Sequence, residues 1–169
     1  MNEKIKQLTV KQFMQSEVHT IYPNQTIFDA ALLMTSKNIG TLPVIKEDGA
    51  LAGILTDRDI VTRCNAVGKE PKRTKIYECM TTNPIRTVPS SSTSDAIMLM
   101  SEYGIRRIPI VENEKLVGII SIADLAQAAK PPTERCLHDG SSETCDFVKL
   151  AKELKKTSHC EHSCDSCDI

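Results

Sequence analysis

Tryptophan is absent, and the 169 residues include three phenylalanines and three tyrosines. That shortage excludes a core anchored on large aromatic side chains. Ala, Val, Ile, Leu and Met must fill the interior, which suits small units of strand and helix. Charge of one sign is lacking too, since 21 basic residues face 22 acidic ones for a formal net charge of -1. Proteins that hold nucleic acid by its phosphates usually present a basic field, so this balance argues against a nucleic-acid partner. No apolar run approaches the roughly 20 residues needed to cross a bilayer, and the opening MNEKIKQLTVKQFM is too polar for a signal peptide. A cytoplasmic protein with no membrane partner is expected. Catalytic constellations are missing as well. No Ser/His/Asp set, phosphate-binding glycine loop or pair of catalytic acids emerges, and the four histidines sit at position 19 and in the C-terminal tail.

What the chain does contain is itself, twice. Sliding the sequence by 66 places Phe13-Met14 on Cys79-Met80, Pro23 on Pro89, Asp29-Ala30 on Asp95-Ala96, Met34 on Met100 and Pro43-Val44 on Pro109-Ile110. Beyond the turn around Gly49 the offset becomes 65, which brings Gly53-Ile54 onto Gly118-Ile119, Thr56 onto Ser121 and Asp59 onto Asp124. A one-residue change at a turn is what hairpins of different loop length produce.

Each copy reads as strand, helix, strand, strand, helix. A short extended segment, His19 to Tyr22 or Arg86 to Val88, stops at a proline. A helix follows with Ile27, Ala30, Ala31 and Met34 at the spacing of one buried face. Thr26 with Asp29, and Ser92 with Asp95, sit three apart as an N-terminal cap requires. Two β-branched runs around a short polar turn then form a hairpin, and a last helix starts after Thr56 or Ser121. A unit of about 55 residues is marginal alone, so the copies should pack on each other about a pseudo-twofold axis. The expected organisation is an N-terminal segment (1–9), repeat 1 (10–66), a polar, basic linker (67–75), repeat 2 (76–129) and a tail (130–169). The linker's Lys69, Lys72, Arg73 and Lys75 read as solvated surface.

The sharpest chemical signal is the pair GILTDRD (Gly53 to Asp59) and GIISIAD (Gly118 to Asp124). In each, a glycine opens an apolar strand, a hydroxyl residue ends it, and an Asp follows three positions later on the first helical turn. The Asp carboxylate could accept both hydroxyls of a ribose. The Thr or Ser hydroxyl and free helix-start N–H groups could meet a phosphate, and the glycine could allow close approach. Thr-x-x-Asp is also an ordinary helix cap. Its recurrence at equivalent positions favours the ligand reading.

These motifs, together with MTTNPIRTVPSSSTSDAI (Met80 to Ile97), SEYGIRRIPIVENEKLVGIIS (Ser101 to Ser121), KNIGTLPVIKEDGALAGILTDRDIV (Lys37 to Val61) and VGKEPKRTKIYECM (Val67 to Met80), resemble the CBS-domain family over residues 10 to 129. The resemblance implies a mixed α/β (α+β) fold of two βαββα repeats related by a pseudo-twofold axis, with two clefts between them. It implies a regulatory, non-catalytic module that binds AMP, ADP, ATP or a related adenosyl ligand, forms a homodimer and signals to a regulated protein. By position, Thr56 and Asp59 would hold ribose and phosphate in one site, and Ser121 and Asp124 in the other. Adenine would lie against Val18, Thr20 and Ile21 in one, and against Pro84, Ile85, Thr87 and Val88 in the other. The strand through Ile108 and Pro109 would reach into the cleft, with Arg106 and Arg107 as phosphate contacts, although adjacent strand residues face opposite ways. Arg58, replaced by Ala123 in the second copy, and Arg107, facing Thr41 in the first, predict unequal sites.

The tail belongs to neither copy. After Pro131-Pro132, a short helix is expected from Cys145 to Lys156, and then come His159, Cys160, His162, Cys164 and Cys167. Thiolates and imidazoles at this density favour zinc or an iron–sulfur cluster, and make a metal or redox sensor the alternative function, with the repeats as a dimerisation scaffold. The competing reading is a polar tail that meets metal only opportunistically. Cys64 and Cys79 read as buried small residues.

Overall fold

Both main helices begin at a hydroxyl that accepts from the amide of an Asp three residues on, and the first adds the reciprocal bonds. The computed structural model describes residues 8–128. In it the Asp29 carboxylate accepts from the Thr26 amide and hydroxyl at 2.9 and 2.7 Å, while the Asp29 amide donates back to the Thr26 hydroxyl. Helix α1 (Ile27–Lys37) grows from this cap, buries Ile27, Ala30 and Met34, and ends where Asn38 turns left-handed at φ 52°. Helix α3 (Thr93–Glu102) starts at Ser92, whose hydroxyl accepts from the Asp95 amide, and buries Ala96, Ile97 and Met100. Gly104, at the position equivalent to Asn38, supplies the same left-handed turn with φ 62°.

Strands β1 (Thr41–Ile45) and β2 (Leu51–Thr56) form one antiparallel hairpin, and β4 (Arg107–Glu112) with β5 (Lys115–Ser121) forms the other. Their turns account for the change of offset. The first needs residues 47–49, with Gly49 at φ 84°, whereas the second closes on Asn113 and Glu114 at φ 51° and 64°. Two consecutive left-handed residues make the tighter two-residue hairpin. The two turns also touch each other. Ala50 bridges Lys115, and the Leu51 and Leu116 amides donate to the Glu114 and Gly49 carbonyls.

The expected opening strands shrink to single parallel bridges, Ile21 to Val44 and Thr87 to Ile110. Proline explains this. Pro43 and Pro109 accept from the Ile21 and Thr87 amides at 3.1 Å each but have no N–H to return, so the ladder does not extend through them.

The lead segment of each copy packs in the opposite half. Strand β3 (Thr81–Thr82), at the start of the second copy, pairs with β2 of the first, and Ile76, Cys79 and Met80 pack in the first copy's core beside Ile27, Leu42 and Leu55. Reciprocally, Val10, Phe13 and Met14 pack in the second copy's core beside Met100, Ile108 and Ile120, and Gln15 pairs with Ile119. Each half therefore takes its lead segment from the other copy. Segment 67–75 is built into this exchange, because the Pro71 and Thr74 carbonyls accept from the Phe28 and Ile27 amides at the start of α1. It is more than a polar connection.

Gly53 and Gly118 are explained by the same exchange. A Cβ on Gly53 would lie 2.7 Å from the Thr81 carbonyl oxygen and 2.8 Å from the Met80 sulfur, and one on Gly118 would lie 3.0 Å from the Gln15 oxygen. The close approach expected of a ligand is made by the chain itself.

Candidate functional site

After β2 the backbone enters a short helix α2 (Asp57–Asp59) that widens into a π-helical turn (Ile60–Asn65), whereas β5 is followed by an ordinary helix α4 (Ile122–Ala128). Both starts form the full cap. The Asp59 Oδ2 accepts from the Thr56 amide and hydroxyl at 2.9 and 2.7 Å, and Asp124 Oδ2 accepts the same pair of bonds from Ser121. Capping and ligand recognition are compatible here, because each cap uses one carboxylate oxygen and leaves Oδ1. Asp59 Oδ1 lies 3.4 Å from Arg63 Nε, and Asp124 Oδ1 accepts from Gln15 Nε2 at 2.9 Å.

The helix-start amides expected to meet a phosphate are already engaged. Asp57 N–H donates to the Gly40 carbonyl, Arg58 N–H to Asp57 Oδ1, and Asp59 N–H to the Thr56 hydroxyl. The Thr56 hydroxyl proton is committed to Asp59. In the second copy the Ile122 and Asp124 amides are likewise taken, by the Arg106 carbonyl and the Ser121 hydroxyl. An anion at the first helix start would have to be held by side chains.

Those side chains converge. A cleft of about 730 Å³ lies between the halves, and its walls include Thr56, Arg58 and Asp59 from the first copy and Pro84, Ile85, Arg106, Arg107 and Pro109 from the second. Three guanidinium groups thus face one space with Asp57 and Asp59, while Ile54, Ile85, Ile105 and Tyr103 offer apolar cover. Arg106 and Arg107 both line it because Arg106 precedes β4 and is free of the strand's alternation. Arg107 Nη1 also reaches Thr41 Oγ1 at 3.3 Å, joining equivalent positions of the two copies.

Other expected contacts lie elsewhere. Ile21 and Ile108 are core residues at 2% and 0% exposure, Thr87 is buried at its bridge to Ile110, and Val88 is exposed outside the cleft lining. The parallel bridges seat Ile21 and Thr87 against the hairpin strands, and Ile108 is packed in the core through its antiparallel pairing with Ile120. Val18 and Thr20, half-buried, and Ser121 and Asp124 do not contribute to this cleft. Tyr103 and Thr81 line the cleft and Arg63 stands beside Asp59, none of them marked by the repeat motifs. Arg63 had a visible signal, since it stands four residues after Asp59 on a helix. Tyr103 and Thr81 had none in local pattern.

Among the described residues no group of three His, Cys, Asp or Glu could hold a metal ion. Cys64 and Cys79 are fully buried, and burial pushes the Cys79 thiol above its ordinary range, which disfavours thiolate ligation. The expected ligands His159, Cys160, His162, Cys164 and Cys167, and the helix from Cys145, lie outside the described residues. No described helix is long and apolar enough to cross a membrane.

The architecture defines a class: paired mixed α and β repeats clasped about a shared cleft. Family comparison gives it a name, since the CBS domain model matches residues 10–65 and 76–130, and the chain belongs to the CBS-domain family. Hypoxic response protein 1 of Mycobacterium tuberculosis is 32% identical over 119 residues, covering 70% of this chain and 83% of that protein. Its crystal structure, with two coordinated zinc ions, superimposes with TM-score 0.66 over 70% of this chain and 97% of that one. The CBS domain pair of protein MJ0100, in complex with 5'-methylthioadenosine and S-adenosyl-L-methionine, gives TM-score 0.64 at 30% identity, covering 72% and 95% of the two chains. CBSX2, which is from Arabidopsis thaliana, in complex with AMP gives 0.65 at 29% identity, covering 72% and 96%.

Proposed function

We propose that this protein is a regulatory module that binds an adenosyl ligand, an adenine nucleotide such as AMP, ADP or ATP above all, in the cleft between its repeats and does no chemistry on it. One observation carries the reading: a carboxylate whose cap uses only Oδ2, Asp59, shares a cleft with Arg58, Arg106 and Arg107 and with the apolar side chains of the opposite half. A ribose needs a paired acceptor, phosphates need guanidinium forks, and a base needs apolar cover. The ligands named for MJ0100 and CBSX2 have adenosine in common and differ in phosphate, which supports recognition centred on the nucleoside. Binding would bias the arrangement of a homodimer that a partner protein senses.

Calorimetry with AMP, ADP, ATP and S-adenosylmethionine tests this. Asp59→Ala should weaken the best ligand about tenfold or more while the chain still melts cooperatively. Unchanged affinity in both Asp59→Ala and Asp124→Ala would overturn the site. A second reading, zinc or an iron–sulfur cluster held by the tail cysteines and histidines, rests on the density of thiols and imidazoles in that part of the sequence. Elemental analysis of purified protein should then find metal that is lost on truncation at Pro131, and metal-free protein would end it.

A further inference from the structure

The two oxygens of Asp59 have separate employment. Oδ2 is committed to the cap, and Oδ1 faces Arg63 Nε at 3.4 Å. Arg63 is tied down at its far end, where Nη1 donates to the Cys79 carbonyl and to the Thr81 hydroxyl, both at 3.1 Å. A long, flexible side chain is thus held between Asp59's own helix and the segment exchanged from the second copy. Arg63 is not part of the cleft lining.

The other half reaches the same result with different residues. Position 128, equivalent to Arg63, is Ala, and position 15, equivalent to Thr81, is Gln. Gln15 donates directly to Asp124 Oδ1 at 2.9 Å. In both halves, therefore, the exchanged segment braces the oxygen that the cap leaves over, once through Arg63 standing on Thr81 and once through Gln15. Asp29 and Asp95 stand at the equivalent point of the other two caps but away from the cleft. Among the described residues neither carboxylate receives a second side chain. The brace is confined to the two caps that follow the hairpin strands β2 and β5, and of these two carboxylates Asp59 lines the described cleft.

We infer that Arg63 is a positioning residue that sets the specificity of the Asp59 site for ribose over deoxyribose, an inference that rests on the nucleotide reading above. An oxygen held in one orientation can accept two vicinal hydroxyls at once. Pinned at Oδ2 alone, the carboxylate can swing Oδ1 about the cap, serves one hydroxyl nearly as well as two, and discrimination falls. Phosphate recognition, which belongs to Arg58, Arg106 and Arg107, is separate.

The test titrates AMP and 2'-deoxy-AMP into the full chain carrying Asp124→Asn, so that the Asp59 cleft alone reports. The expected preference for AMP is about tenfold or more. Arg63→Gln should bring it within about twofold while the affinity for 2'-deoxy-AMP changes less than about threefold, and Arg63→Lys should recover part of the preference. An unchanged preference in Arg63→Gln, or equal loss for both ligands, would overturn the inference, the second outcome marking a merely structural arginine. If Arg63→Gln fails to melt cooperatively, Thr81→Val, which removes one anchor of Nη1, should lower the preference in part, and no change there overturns the inference. Parent protein that binds both ligands equally sinks the inference and leaves the nucleotide reading standing. Binding abolished by Asp124→Asn moves the ligand to the other half and sinks it too. Absence of any binding, in unaltered protein as well, sinks both.

Discussion

The two halves share one order of helix and hairpin and diverge in the polar residues at and around the start of their last helices and strands. Equivalent positions carry Thr41 and Arg107, Arg58 and Ala123, Arg63 and Ala128, and Thr81 and Gln15, whereas the core pairs stay apolar: Leu42 with Ile108, Val44 with Ile110, Leu55 with Ile120. Packing constrains the second set, because a core tolerates only apolar groups of similar volume. Nothing in packing constrains the first. The duplication preserved a scaffold and left the chemistry of each side free to change, which is why the described cleft gathers guanidinium groups that mirror positions lack.

The strongest way to break this comparison is to attack the exchange on which both halves rest. Ile76→Ala removes a fully buried side chain that belongs by sequence to the second copy and by packing to the first. Urea denaturation should show a loss of about 2–5 kcal/mol. A loss typical of a surface site would mean that the lead segment is not part of that core.

Gly53→Ala comes next. Its Cβ would meet a backbone carbonyl at 2.7 Å, against 3.0 Å for Gly118→Ala, so both should destabilise but Gly53→Ala more, by about 1–3 kcal/mol. Equal effects would say that the two exchanged strands are seated alike. The asymmetry in cleft charge is sharpened by Arg107→Ala. AMP affinity should drop about tenfold and adenosine affinity change little, as calorimetry would read it, since a guanidinium–phosphate bond is charge-assisted. Parallel loss for both ligands would instead assign Arg107 to holding the halves together through Thr41.

The smallest effect concerns the caps. Hydrogen bonds from the Thr26 hydroxyl and amide hold the Asp29 carboxyl below its ordinary range, and the Lys75 amide, with Lys69, does the same for Glu78. A lowered folded value means stability that is complete above the ordinary carboxylate range and is lost as pH falls through the folded value. Melting curves below about pH 4 should therefore show a shallower decline in Asp29→Asn than in the unaltered chain, by a margin reduced by solvent exposure. An identical decline would remove that cap from the acid response.

Much was legible before any coordinates. The repeat, the two hairpins, the four capping pairs and the hairpin-length difference are local, and local pattern is set by neighbours in the chain. Several site residues were legible for the same reason, as Asp59 and Arg58 stand beside the strand end that marks them. That Ile21 and Ile108 are buried in the two cores is not legible locally, because an apolar pattern does not say which face meets a cleft. The helix-start amides at Asp57 and Arg58 are occupied by the Gly40 carbonyl and the Asp57 carboxylate, and neither partner is evident from spacing alone.

The sequence by itself determined that there are two like units, where each helix starts and stops, and which residues must be apolar, because propensity, capping and turn chemistry act over a few residues. Tertiary structure alone decided that each unit completes its core with the other's lead segment, that Gly53 and Gly118 serve that exchange, and that Asp59 gains a brace from Arg63 and Thr81. Those contacts join residues far apart in the chain, where burial and close packing select partners that no local period encodes.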